Sequence, residues 1–376
     1  MAPQVNLFKA WMIWMKIAGA DPPSVNFPYA LALLWKLIML YGSVHYVIIM
    51  FLAIVVGDRA FHLKLEAGLF LLAGIPCSYK HFVFVIRKNK LHEVIDRLNT
   101  LLEEVEDVYG TETLAGWQRI CNMVMYFYST QFTMLVVPVF SFFYYIYYWE
   151  GVEATPYEVY IPFEKENHIH RVMLYELLSF LGPAAGLITG NIFFGSLTVA
   201  VSGVLRKIQE QFSQLSPSNE QFLLHRTIRW HSEIISIVGE TNRLLGTVFV
   251  VEYLLAMVYI CFSGYMLLKV GSATEDVNLN KNIILCIVCI VMPLFYCLCG
   301  HVIVLEYDKM SDSIFQNDWV SLQPVDRKKL ILPALLAKRG LSLHYKKLLK
   351  FDMTTYLKIV KQSYSFLTML KLMENT

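Results

Sequence analysis

Seven apolar runs, at about 30–56, 64–86, 122–148, 172–204, 247–268, 282–305 and 351–370, constrain this chain more than any other feature. Each is about the 20 residues needed to cross a hydrocarbon layer of roughly 30 Å as a helix, or longer. At that depth no water is present to bond the backbone, so each run must satisfy its own N–H and C=O groups, and a helix does so. The expected fold is therefore an all-α membrane protein with seven transmembrane helices. The composition agrees, with 56% hydrophobic and 16% charged residues. A net charge of +2, without a basic, aromatic-studded patch, argues against nucleic acid as a partner and leaves membrane lipid as the surrounding phase.

Upstream of the first run, residues 10–19 are apolar but short. They are interrupted by Lys16, and no small-residue cleavage site precedes Asp21-Pro22-Pro23. This predicts a re-entrant or interfacial helix rather than a cleaved leader. The seven cysteines lie mostly inside apolar runs, where an odd count does not suggest a disulfide framework.

Positive charges set the expected orientation. With the N-terminus in the cytosol, twenty-one of the 32 Lys and Arg residues fall on cytosolic segments, seven fall outside and four lie within spans. That bias predicts a cytosolic N-terminus and an extracellular C-terminus. G-protein-coupled receptors have the opposite orientation, and neither an Asp/Glu-Arg-Tyr nor an Asn-Pro-x-x-Tyr motif stands where they need one. The related halves of a typical transporter are absent too, although Pro183 and Pro293 are expected to kink spans four and six. The outer loop 149–171 is acidic and aromatic, which suits a lid. The inner loops 205–246 and 306–350 read as helical. Ile228, Ile234, Ile235 and Val238 share a face in the first, and leucines from Leu330 to Leu349 run among lysines in the second. Such projecting apolar faces call for cover, either from other subunits or from the chain itself.

The last run is the most polar, with Lys358, Lys361, Gln362, Ser363, Ser365 and Thr368. A helix surrounded by lipid would avoid these groups, so one face must meet protein or water. Tyr356, Val360, Ser363, Leu367 and Leu370 share a side. Two readings fit: a narrow apolar stripe lining a pore that closes by dewetting, or a packed helix whose small polar groups bond to neighbours.

Other polar residues suggest little chemistry. Cys286-x-x-Cys289, Cys297-x-Cys299 and His168-x-His170 have metal-like spacings but read as packing or lone loop residues, so no metal and no cofactor is expected. Glu176 and Glu252 are expected near span ends, where solvation is cheap. No nucleophile–base pair, phosphate loop or paired carboxylates mark an enzyme.

From His301 to Leu370 the chain resembles the C-terminal signature of insect odorant receptors. The matching residues are Gly300 after Tyr296-Cys297, Ser311 and Ser313, Trp319, Arg327-Lys328, Arg339, and Ser363-Tyr364-Ser365-Phe366 with Leu370. Tyr157 and Tyr160-Ile161-Pro162-Phe163 in the second outer loop agree as well. Related gustatory receptors end differently after their Thr-Tyr, which favours the odorant branch here.

The resemblance implies a tuning subunit of an odorant-gated, non-selective cation channel. Its partner would be the co-receptor Orco in a heterotetramer, in the plasma membrane of olfactory sensory neurons. The implied organisation is a ligand-binding bundle over 1–205, a cytosolic helical loop over 206–246 and spans five and six over 247–305. Cytosolic anchor helices over 306–350 and a pore-lining last helix with its outer end over 351–376 would follow. In that family the odorant sits in the outer half, between spans two, three, four and six. Candidate ligand residues are Phe70 and Ala73, then Ser141, Tyr144, Tyr145 and Tyr148, then Phe180 and Ala184, and finally Cys286, Ile287 and Ile290. Leu367 would be the gate, with Tyr364 one turn inside it and Leu370 or Lys371 at the outer mouth. A volatile of about ten heavy atoms would gain about 5–8 kcal/mol from burial there, which corresponds to micromolar to sub-millimolar affinity. The alternatives are a gustatory-type receptor channel or a membrane receptor or transporter without a pore of its own.

Overall fold

The computed structural model describes residues 6–22, 27–56, 61–150, 159–163, 168–216, 220–270, 276–316, 319–346 and 348–374. Among them the elements run α1 (Lys9–Ile17), α2 (Tyr29–Val55), α3 (Phe61–Ile86), α4 (Lys88–Tyr109), α5 (Thr111–Glu150), α6 (Ile169–Ser213), α7 (Glu220–Val270) and α8 (Asp276–Asp308). The short α9 (Met310–Phe315), α10 (Pro324–Lys329) and α11 (Ile331–Arg339) follow. A hairpin of β1 (His344–Tyr345) and β2 (Leu349–Lys350) then leads into α12 (Met353–Glu374).

The seven apolar runs coincide with α2, α3, α5, α6, α7, α8 and α12. Among the described residues, five segments, in α2, α3, α6, α7 and from α8 into α9, are long and apolar enough to cross a membrane. We call the end of the bundle holding Val55, Phe61 and the last turn of α12 the upper end. The lower end holds α1, α4 and α9–α11. Pro76, Pro183 and Pro293 lie inside α3, α6 and α8, whose helices continue past them. Neighbouring helices can satisfy the carbonyls that a proline leaves free.

At the centre stands α6. Of its apolar window, 89% is buried, against 39% for α2. A helix of this kind has no polar face to turn outward, so it packs on all sides. It contacts α1, α2, α3, α5, α7, α8 and α9. Its small residues, among them Gly182, Ala184, Ala185 and Gly186, let neighbouring backbones approach closely.

The lower end is closed by polar and apolar contacts together. Trp11 of α1 is buried, its ring 5.6 Å from Phe193 and 5.2 Å from His92. The predicted short helix is thus wedged into the bundle between α4 and α6. On α4 an apolar stripe from Leu91 to Val105 faces inward. Its other face is tied to α7 by Arg97, which reaches Glu233 at 2.8 Å and Glu240 at 2.6 Å. Below that pair, Arg229 forks onto Glu104, which also accepts a 2.6 Å bond from Trp230 Nε1. The bond from Arg229 is the main reason that the Glu104 carboxyl titrates below its usual range.

The leucines of 306–350 divide in two. Leu330, Leu341 and Leu343 are buried within the chain, whereas Ile331, Leu332, Leu335 and Leu348 face outward. Only the Pro333–Ala337 side of the short α11 rests on the core.

Where the chain turns from β2 into α12, Gly300 of α8 meets it directly. A Cβ at Gly300 would lie 1.9 Å from the Phe351 carbonyl oxygen, a distance no side chain tolerates. Gly300→Ala should therefore force the two segments apart at a cost of about 1–3 kcal/mol. Gly239→Ala, where a Cβ meets open space, should be neutral or stabilising. Surface labelling and thermal unfolding in detergent would separate the two, with surface signal and melting temperature falling only for Gly300→Ala.

Candidate functional site

At the upper end an aromatic cluster joins α2, α3, α5 and α6. Tyr46, Ile49 and Met50 of α2 and Ile169 and Met173 of α6 form its buried part, with Phe70, Tyr144, Tyr147, Tyr175 and Phe180 packed against them. Tyr46 lies across α3, with its hydroxyl donating to the Phe70 carbonyl at 3.1 Å and its ring 6.1 Å from Phe180. Gly74 makes room for it, since a Cβ there would fall 2.0 Å from the Tyr46 ring. Hydroxyl and imidazole groups rim the cluster. Tyr175 OH pairs with His45 Nε2 at 3.2 Å, and Tyr148 OH with His170 Nε2 at 3.2 Å. Of the outer loop, Val159 is fully buried in the cluster and Tyr160 N–H donates to the Ile49 carbonyl at 3.2 Å. Glu153, Tyr157, Glu158, Glu164 and Glu166 of the loop predicted as a lid lie outside the described residues, as does the Cys289 side chain.

The residues proposed for a ligand separate into groups. Phe70, Tyr144 and Phe180 meet in the aromatic cluster. Ala73 instead packs with Leu69 against Tyr259 and Met266 of α7. Ala184 is buried on the face of α6 that carries Asn191 two turns lower. Cys286 is half-buried. Ser141, Tyr145, Tyr148, Ile287 and Ile290 are exposed on the outside of the single chain. A strongly apolar helix gives little sign of which side faces lipid, so spacing alone did not separate these groups.

α12 runs alongside α7. Ser363 Oγ donates to the Met257 carbonyl at 3.0 Å, Tyr253 OH donates to Gln362 Oε1 at 3.2 Å, and Leu367 lies against Gly264. Ile359 and Ser363 are buried, and Leu367 and Leu370 are half-buried. The stripe of Tyr356, Val360, Ser363, Leu367 and Leu370 thus rests on the chain's own bundle, because the more apolar side of a helix is the one that its neighbours bury. Lys361, Tyr364, Ser365, Met369, Lys371 and Leu372 lie on the exposed side. Of the four predicted pore positions, Tyr364 and Lys371 face away from the bundle, Leu367 braces α12 on α7, and Leu370 stands between.

Comparison with known proteins decides the family. Residues 62–364 match the 7tm Odorant receptor family. This chain belongs to the 7tm odorant receptor family. Among curated relatives, Odorant receptor 47b of Drosophila melanogaster is 20% identical over 313 residues, covering 78% of this chain and 73% of that one. Odorant receptor 85c of the same species is 20% identical and covers 94% and 96%. The fold matches that of the insect olfactory receptor OR5 from Machilis hrabei, solved in complex with eugenol. The TM-score is 0.79 at 10% identity, over 98% of this chain and 97% of that one. The protein is accordingly a multi-pass membrane protein and an odorant-sensing receptor, not an enzyme.

The receptor also holds a polar group that the sequence did not reveal. Lys80 of α3 is almost fully buried and forms an ion pair with Glu252 of α7. Its Nζ donates to Tyr296 OH of α8 at 2.8 Å, and Tyr296 OH donates to Asn191 Oδ1 of α6. Glu252, expected near a solvated span end, is instead 8% exposed, and Glu176 is fully buried. Each sits on an inward face of a helix packed against its neighbours, so its distance from a span end brings it no solvent. The signal available was charge alone, since Lys80 and Glu252 both fall within apolar sequence, where a lone charge needs a partner.

For the aromatic cluster, Phe180→Ala in the receptor removes burial worth about 1.5–3 kcal/mol. If the cluster holds the odorant, the half-maximal concentration should rise roughly tenfold or more. Ile287→Ala, on the exposed side of α8, should leave it within about twofold. Surface-normalised concentration–response curves would check both.

Proposed function

We propose that the receptor is the odorant-binding tuning subunit of a heteromeric, odorant-gated, non-selective cation channel, paired with the co-receptor Orco in the plasma membrane of olfactory sensory neurons. The observation that carries this reading is the exposed side of α12. Lys358, Lys361, Gln362 and Ser365 lie there in a helix otherwise placed among apolar ones. A lone subunit would present these groups to hydrocarbon, whereas around a central axis they would face water. The outward apolar face of α11, with Leu348, supports assembly, because such a patch on the cytosolic side calls for cover by other subunits. The excess of Lys and Arg on the lower segments supports a cytosolic lower end and N-terminus.

In this reading a small volatile occupies the upper half of the bundle beside Phe70, Tyr144 and Phe180. The complex of the Machilis hrabei receptor with eugenol supports a ligand of that size. Binding opens the channel only insofar as the filled cluster fits one arrangement of α12 better than the other. The constriction passes to Met369 and Leu372, the large apolar side chains on the exposed side near the upper end. Leu367 and Leu370 hold α12 to its bundle.

Whole-cell recording tests the proposal. Odorant-evoked current is expected when the receptor and the co-receptor are expressed together, and none when the receptor is expressed alone. Current from the receptor alone would make it a self-sufficient channel. Silence in both, with both proteins at the surface and a broad odorant panel applied, would remove the channel reading. Within a conducting complex, Met369→Cys should be modified by a water-soluble thiol reagent and block current at least severalfold faster than Leu367→Cys, which stays shielded by Gly264.

A further inference from the structure

Below the aromatic cluster, four helices meet at the buried polar group. Seven residues, or about 10 Å of helix, separate Ala73 from Lys80 on α3, Ala184 from Asn191 on α6, and Tyr259 from Glu252 on α7. The group therefore lies one level beneath the upper half and forms its floor. Glu252 reaches across to α3, while the next residue, Tyr253, reaches the other way to Gln362 of α12. Four residues further up, the Met257 carbonyl accepts from Ser363. α7 thus stands between α12 and α3, the helix that gives Phe70 to the candidate odorant site and packs Leu69 and Ala73 on Tyr259 and Met266 of α7. The ion pair fixes its height against α3, together with Arg87, which donates to the Leu244 carbonyl two turns lower.

A purely structural role explains this arrangement poorly. Removing two charges from water costs several kcal/mol per ion, and a well-packed apolar pair of similar volume often holds a fold as well or better. A buried pair in hydrocarbon therefore calls for a role beyond cohesion. It has the two properties that a coupling element needs: its geometry is directional, so α7 has one favoured height against α3, and the residue next to Glu252, Tyr253, bonds α12.

We propose that Lys80, Glu252, Tyr296 and Asn191 form a latch that holds α7 against α3, α6 and α8 in the resting receptor, so that odorant binding above must shift the latch to move α12. All four are positioning residues, and none needs to touch the odorant. The proposal rests on the channel reading given above. Lys80 and Glu252 act as a unit: exchanging both charges keeps the latch, and neutralising both removes it without leaving an orphaned charge.

The test uses the full receptor co-expressed with the co-receptor, reading surface label, current without odorant and the half-maximal odorant concentration. Lys80→Met with Glu252→Met is expected to reach the surface and to raise the odorant-independent fraction of current at least threefold, with a lower half-maximal concentration. Tyr296→Phe, which keeps both charges paired and removes only the hydroxyl between Lys80 and Asn191, is expected to shift both in the same direction by less. The exchange Lys80→Glu with Glu252→Lys should return towards wild type. Resting current and odorant sensitivity at wild-type values in the double Met variant, at normal surface level, would overturn the latch. If that variant fails to reach the surface, Tyr296→Phe decides, and wild-type behaviour there overturns it equally. A silent wild-type complex would instead sink the channel reading and the latch with it, whereas a conducting wild type with unaltered variants sinks the latch alone.

Discussion

Close backbone packing around α6 underlies the rest of the structure. A helix in hydrocarbon gains no hydrophobic drive from meeting another apolar helix, because lipid is as apolar as leucine. What remains is dispersion at short range and interhelical hydrogen bonds, and both require backbones to approach. The run from Gly182 to Gly203 supplies this on several sides of α6 at once. α2 lies close enough for Ser43 Oγ to bond His81 of α3, which in turn reaches the Ala18 carbonyl beyond α1. With α6 fixed, α3 and α8 are set at distances where Lys80, Tyr296 and Asn191 can share protons. The polar floor of the bundle is therefore a consequence of small residues elsewhere.

The two ends of the molecule are held by different physics. In the lower body the side chains of Arg97 and Arg229 are 32% and 55% exposed, and the ion pairs they make between α4 and α7 contribute little each. The apolar stripe of α4 carries most of that contact. Within the bundle the same kinds of group weigh far more, because no water competes for them. The upper cluster depends instead on ring packing, with hydroxyls confined to its rim. An element made of aromatic faces and few directed bonds can rearrange around a guest at modest cost, whereas a charge pair cannot. In the proposed reading, the odorant meets a soft site above a stiff floor, so that it does work on one defined joint.

Much of this was legible in the sequence, for identifiable reasons. The spans follow from the length of apolar runs, since backbone satisfaction in lipid leaves few alternatives. The helical inner loops follow from period alone. Phe70, Tyr144 and Phe180 were reachable because large rings at the upper ends of adjacent spans have few places to go. Which side of a span faces inward was not reachable: α8 is apolar throughout, so Ile287 and Ile290 look like Cys286 on paper. Tyr46 and Met173 were missed because α2 and the first turns of α6 were not expected to meet over the cluster. The Lys80–Glu252 pair joins positions 172 residues apart, and nothing local in either helix announces the other.

α12 shows the limit most sharply and also gives it a physical meaning. Its apolar stripe was the natural candidate for a closing ring, yet that stripe is what α7 and α8 bury, with the Phe351 and Phe249 rings tilted against each other, their centres 4.5 Å apart, at its base. A helix that lines a pore has two demands on its surface: one side must grip the bundle, and the other must tolerate water when open and exclude it when closed. The grip claims the continuous stripe, because adhesion along the whole length is needed. The closing side needs only one or two large apolar residues in an otherwise polar surface. Met369 and Leu372, set above Lys361 and Ser365, meet that description. The side chains that would close such a pore are thus expected where the helix looks least amphipathic, and the bonds from α7 at Gln362 and Ser363 stand where a displacement of α7 would reach them first.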